Sequence, residues 1–326
     1  MPIMSILLFA VGLVLLIKGG DWFVDGATGI AKRFNLPDIV VGATVVSIGT
    51  TLPEVMVSTT GALQGSGAMA YGNAIGSIIC NTALIAAISI VCNPGPVNVK
   101  SMKTPVIFFF GSAALYCLAA YGLGTFPRWM GFVMLGIFVV YTVLTVRNGL
   151  QNPDSVEEEE EEEGGKPKAL WQELLLLVIG AAVIAVGADL LVEHGQILAL
   201  AMGVPATVVA LLFVALGTSL PELVTTITSL RKGRASLGVG NVIGANVFNL
   251  VLVSGVAVSL APFDVPVENL LLDTQLNVSL VFDIPVMLGV MSLMAIPALI
   301  NKKLGRWQGI ALLGIYAAFV VLQFVL

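Results

Sequence analysis

Gly49-Thr50-Thr51-Leu52-Pro53-Glu54 recurs 168 residues later as Gly217-Thr218-Ser219-Leu220-Pro221-Glu222. The same offset pairs Asp21 with Asp189, Pro37 with Pro205, Gly65 with Gly233, Gly72-Asn73 with Gly240-Asn241, Gly76 with Gly244, Asn81 with Asn249 and Pro94 with Pro262. From Pro37 to Pro94 the register holds without a gap, and the matches fall on Gly, Pro, Asn and Glu. That concentration marks a duplicated structural unit, because these residue types bend helices, permit close approach or place polar groups.

Composition fixes the solvent. Of the 326 residues, 57% are hydrophobic and 11% charged, with mean hydropathy +1.00. A soluble domain carries roughly 25% charged residues, so the chain lacks the polar surface that water requires and is read as a membrane protein. The formal net charge of −5 conceals a slightly basic remainder, because the unbroken run Glu157 to Glu163 dominates it. That run reads as a solvated linker, with a cytoplasmic calcium sensor or buffer as the sharper alternative; it lacks the spacing of a calcium loop. Nucleic acid is not an expected partner. Cys80, Cys92 and Cys117 are read as small core residues. Met1 to Ile17 is read as a retained first span, for it lacks a basic leader region and a cleavage site.

A helical span needs about 20 apolar residues. Ten candidates cover 3–31, 38–63, 68–92, 105–121, 127–147, 170–200, 205–230, 236–260, 280–300 and 306–325. The acidic linker at 148–169 separates a first unit at 1–147 from a second at 170–326. Of the 15 Lys and Arg residues, 13 lie at odd-numbered connections. Basic residues mark the cytoplasmic side, so both ends of the chain are expected outside. Five spans per unit is an odd number, so the units are inverted. The expected fold is therefore an all-α polytopic membrane protein of ten helices, arranged as two inverted five-helix repeats with termini outside. Secondary transporters share this architecture, with ion sites at the midplane between repeats.

The repeated segment carries the chemistry. A carboxylate at the bilayer centre costs at least about 2.5 kcal/mol, and the sequence places one there twice, at Glu54 and Glu222. A protonated glutamate bridging two helices is the bland alternative, but packing alone gives no reason for two-fold repetition. Pro53 and Pro221 have no N–H, so the carbonyls of Gly49 and Gly217 lose their helical donors. Helical spacing places Ser47, Thr51, Glu54 and Ser58 on one face, matched by Ala215, Ser219, Glu222 and Thr226. The next spans offer Asn73, Ser77 and Asn81, matched by Asn241, Ala245 and Asn249. Gly72…Gly76 and Gly240…Gly244 allow close helix approach. Carboxylate, hydroxyl, amide and carbonyl oxygens suit calcium, magnesium or sodium rather than zinc or copper. Two carboxylates at one centre balance one calcium ion, or sodium ions, or protons, and mutually exclusive occupation couples their exchange.

On these motifs the chain resembles the calcium/cation antiporter superfamily, specifically the prokaryotic sodium/calcium exchangers. The resemblance covers nearly the whole sequence. It implies an antiporter of Ca2+ and Na+ with no cofactor, multi-pass in the inner (plasma) membrane and working as a monomer, and not an enzyme. It implies that Glu54 and Glu222 ligate calcium and that Thr50 and Thr218 add oxygens, partly through backbone carbonyls. Thr51, Ser219, Ser77, Asn81 and Asn249 would complete the calcium, sodium and water sites, and the first and sixth spans would slide. The chain departs from the pattern at Asn249, where many relatives carry an acid, at Ala245, where many carry serine, and at Ile78, where Asn is common. These departures open the alternatives of H+ or K+ in the coupling. A cation channel and an intramembrane enzyme are the more distant alternatives. Asp21 with Asp25, and Asp189 with Glu193, are read as interfacial acid pairs or ion-entry groups, and His194 as a helix-end or interfacial residue, with pH sensing as the sharper alternative.

Overall fold

The computed structural model describes residues 2–151, 169–202, 217–266 and 277–323. The expected linker run Glu157 to Glu163 and the first part of the seventh span, Ala215 included, lie outside the described residues.

The apolar stretches fold as helices because a bilayer offers no partner for backbone N–H and C=O groups, which must be satisfied within the segment. The helices are α1 Pro2–Arg33, α2 Asp38–Thr50, α3 Leu52–Leu63, α4 Gly67–Cys92, α5 Val99–Leu123, α6 Arg128–Gln151, α7 Leu170–Ala201, α8 Leu220–Arg231, α9 Ala235–Leu260, α10 Ser279–Asn301 and α11 Arg306–Gln323. Among the described residues, eight are long and apolar enough to cross a membrane, and α2 with α3 forms a ninth, bent span. This is a mostly helical polytopic membrane protein. The seventh expected span is represented by α8.

Element boundaries repeat with the sequence. α1 and α7, α3 and α8, and α4 and α9 each begin and end 168 residues apart. The short strands β1 Gly95–Pro96 and β3 Phe263–Asp264 do the same, whereas β2 Thr125–Phe126 and β4 Lys303–Leu304 do not. β1 pairs antiparallel with β4, and β2 with β3. Each strand of the first unit is therefore paired with one from the second.

Two of the repeated helices form the centre. In the apolar window of α9, 89% of residues are buried, and in that of α4, 72%, against 39% or less in the other long helices. The main apolar core surrounds them with Phe109, Tyr116, Phe126, Met287 and Met291. α1 and α7 pack along one another, and with part of α2 they make a second cluster around Leu16, Phe23, Val24, Ile184 and Ala188. Gly12 and Gly187 permit that approach: a Cβ on Gly12 would sit 2.9 Å from the Gly187 carbonyl oxygen.

Helical geometry is interrupted where polar residues gather. π-helical turns cover Gly42–Val46, Asn81–Ala86, Leu118–Leu123, Asn249–Val253 and Ser279–Asp283. Two of them start on the matched asparagines Asn81 and Asn249. Such turns concentrate at functional positions, because the extra residue re-aims neighbouring side chains.

Candidate cation site

The repeated motif gives the same backbone turn twice, at Thr51 and Ser219. α2 meets α3 at 45°. The hinge residue Thr51 has φ −84° and ψ −3°, and its mate Ser219 has φ −90° and ψ 4°. Pro53 and Pro221 enter the following helix in its first turn, where a missing N–H is tolerated. Glu54 and Glu222 then fall in that same first turn. The positive end of a helix dipole favours a carboxylate there. Gly49 lies against the ring of Phe23 from α1, and a Cβ on it would stand 2.9 Å from Phe23 Cζ.

Burial at this centre is nearly complete. Ser47, Thr51, Glu54, Asn81, Glu222 and Asn249 have no exposure, and Thr50, Ser77 and Ser219 are buried. Gly217 and Thr218 are half-buried, and Ala215 lies outside the described residues. Both carboxylate oxygens of Glu54 and of Glu222 have no hydrogen-bond partner in the protein. Neither do Thr51 Oγ1, Ser219 Oγ, nor the amide oxygens and nitrogens of Asn81 and Asn249. Buried polar groups are normally paired, so a cluster of unpaired ones needs a physical account. The two glutamates lie close enough for their charges to interact, and Thr50 and Thr51 lie near Glu222. Among the described residues, the salt bridges involve Asp21, Asp25, Asp38 and Glu173, not these glutamates. Two buried carboxyl groups without a basic partner, together with unpaired neutral oxygens on the same elements, have the chemistry that suits a hard cation.

Polar contacts cross between the units. Thr50 Oγ1 donates to Asn241 Oδ1 at 3.1 Å, and Thr218 Oγ1 donates to Asn73 Oδ1 at 3.3 Å. Asn73 Nδ2 in turn donates to Ser58 Oγ at 2.8 Å and to the Glu54 carbonyl at 3.3 Å. Ser47 Oγ lies 2.8 Å from the Gly42 carbonyl and 2.9 Å from that of Asn241. The Asn246 amide points elsewhere, donating to Thr82 Oγ1 at 2.6 Å.

Other residues that the sequence drew attention to fall outside this centre. Lys232 Nζ pairs with Asp25 Oδ1 at 2.6 Å and reaches the Asp21 carbonyl at 3.0 Å. Asp189 and Glu193 are exposed. His194 is buried within α7 rather than at its end. Of the cysteines, Cys80 is buried beside Ser219, whereas Cys92 is exposed at the end of α4 and is not a core residue. Helix ends face water or headgroups whatever their composition, which is why the apolar context of Cys92 misleads.

Known proteins share this arrangement. The family model described as sodium/calcium exchanger protein matches residues 4–147 and 173–325. The chain is 34% identical over 316 residues to an uncharacterized membrane protein of Methanocaldococcus jannaschii, covering 97% of each. It is 30% identical over 354 residues to the sodium/calcium exchanger MaX1 of Methanosarcina acetivorans, covering 98% of each. A solved structure of the sodium-calcium exchanger NCX_Mj, soaked with Na+ and Sr2+, superposes with a TM-score of 0.80 at 32% identity, over 98% of this chain and 99% of that one. With the duplicated motif, the bent pair α2 and α3 and the buried carboxylates in agreement with these matches, the chain belongs to the sodium/calcium exchanger protein family.

Proposed function

We propose that the chain exchanges Ca2+ for Na+ across the cell's inner (plasma) membrane by alternating access to one site between its two halves. One observation carries the reading: Glu54 and Glu222 are fully buried, mutually interacting and without a protein partner, at the centre of matched unpaired oxygens. A net charge of −2 is met by one Ca2+ or by Na+ ions. Because the same oxygens would bind either, occupation is exclusive, and exclusivity couples the two flows. Calcium takes six to eight oxygens. Thr50, Thr51, Thr218, Ser219, Ser77, Asn81, Asn249 and the carbonyls of Gly49 and Gly217 are the proposed supplement to the glutamates, with Ser47 and Ala215 at the matched margins.

The architecture proposed for this cycle is ten spans in two inverted repeats, residues 1–147 and 170–326, joined by an acidic cytoplasmic linker at 148–169, with both ends outside. The basic residues at odd-numbered connections support the orientation. The element boundaries that recur at one offset, and the strand pairs that each join one unit to the other, support the repeat. A monomer suffices, since one chain supplies both halves of the site, and this also argues against a channel, whose filter is usually gathered from several subunits. Protons in place of Na+, or a K+ requirement beside it, form the second reading, favoured by the amide at Asn249 and the methyl at Ala245.

The test is calcium-45 uptake into sodium-loaded proteoliposomes, with and without an outward sodium gradient, for wild type, Glu54→Gln and Glu222→Gln. Gradient-dependent uptake that both variants abolish supports the reading. Uptake driven by protons instead transfers the coupling to the second reading. Folded protein that shows no gradient-driven uptake refutes both.

A further inference from the structure

Asn73 and Asn241 stand at matched positions on the two central helices, α4 and α9, and their carbonyl ends make the same bond twice. Each accepts the hydroxyl of the threonine that lies four residues before the glutamate of the other unit, Thr218 for Asn73 and Thr50 for Asn241. Their amino ends differ. Asn73 Nδ2 is held by Ser58 Oγ at 2.8 Å and by the Glu54 carbonyl at 3.3 Å. Asn241 is fully buried, yet its Nδ2 has no partner. Thr226, the mate of Ser58, is buried too, and its hydroxyl is also unpaired. The second unit thus keeps both partners of a bond that only the first unit has made.

An unpaired buried donor and an unpaired buried acceptor at matched positions are costly to keep, unless another state joins them. A molecule built from two related halves has such a state: when it turns to the opposite side of the membrane, each half adopts the arrangement the other had. We propose that Asn73 and Asn241 are positioning residues for the cation site, and that their amino groups form a conformational toggle. The Asn73–Ser58 bond belongs to the state described here, and an Asn241–Thr226 bond belongs to the state facing the other side. The carbonyl ends keep the threonines aligned throughout, while the amino ends set which glutamate segment is held. This inference rests on the alternating-access reading above.

The toggle makes a signed prediction. Ser58→Ala removes the acceptor in one state, and Thr226→Ala removes it in the other. The readout is the ratio of apparent KM for Ca2+ on the two faces of proteoliposomes with uniform insertion. The two variants shift that ratio in opposite directions, each by about two- to tenfold, as the loss of one hydrogen bond requires. The double variant lies near wild type. Ser58→Thr and Thr226→Ser, which keep the hydroxyl, stay near the wild-type ratio; a merely structural role would not sort the variants this way. Shifts in the same direction, or none, with exchange intact, overturn the toggle. Hydrogen exchange of residues Leu52–Leu63 in detergent needs no transport and separates the two proposals. If wild type shows no sodium-driven uptake, antiport fails, and the toggle still requires Ser58→Ala to speed exchange there and Thr226→Ala to slow it. The same response to both variants overturns it.

Discussion

Glu222→Gln keeps the side-chain volume and removes one of two buried negative charges, so it acts with opposite sign on the ion-free and ion-bound protein. On the proposed site, calcium binding would place the cation on this carboxylate, which is fully buried. Removing one member of a desolvated charge pair costs about 2–5 kcal/mol, or about 30- to 5,000-fold in Kd. In the ion-free state the carboxylate has no basic partner and faces the charge of Glu54. At an alkaline pH that ionises both carboxylates, neutralising it relieves repulsion and desolvation, so the ion-free Tm rises. The assay is thermal unfolding in detergent, with and without Ca2+ at one hundred times the wild-type Kd. Wild type is then stabilised by about 2.7 kcal/mol, and a variant with a Kd about 30-fold higher keeps less than about 1 kcal/mol of that. An ion-free Tm below wild type, or calcium stabilisation equal to it, refutes the reasoning.

Asn249→Asp places a third carboxylate at a fully buried, unpaired position. Calcium-45 binding should tighten, while the ion-free Tm should fall. The ion pairs differ in weight: Glu173 is nearly buried and holds Arg33 through two bonds, 2.8 and 3.2 Å, so Glu173→Ala should destabilise by about 1–3 kcal/mol. Lys232 and Asp25 are partly exposed, so Asp25→Asn should change stability by less than about 1 kcal/mol in the same denaturation series. Gly240→Ala forces a Cβ to 2.8 Å from Ile39 Cα, and thermal unfolding should show a loss of about 1–3 kcal/mol from overpacking.

The helix break was legible because its cause is local. A proline without an N–H, a glycine four residues before it and a glutamate after it act through their own backbone, and the span limits follow from apolar length. Glu54, Glu222, Asn81 and Asn249 stood out for the same reason, as polar groups repeated inside apolar runs. The positions of Asn73 and Asn241 were visible, but their bonds to Thr218 and Thr50 cross between units, and one-dimensional spacing carries no information on that crossing. Helical phase also fails beyond Asn81 and Asn249, because the π-turns that start there advance the chain by more residues per turn. The pairing of Lys232 with Asp25, 207 residues apart, is tertiary in the same sense.

The strand pairs that join opposite units bear on how the protein is made. β1 meets β4 and β2 meets β3, so the first unit leaves the ribosome with its strand edges unpaired and with Glu54 facing no counterpart. At a synthesis rate of about 5–20 residues per second, the matching residues follow roughly ten to thirty seconds later. Through that interval the nascent first half is an incomplete object in the membrane, with strand edges and polar groups that await their partners. Two halves expressed as separate chains should each be short-lived alone and persist only together.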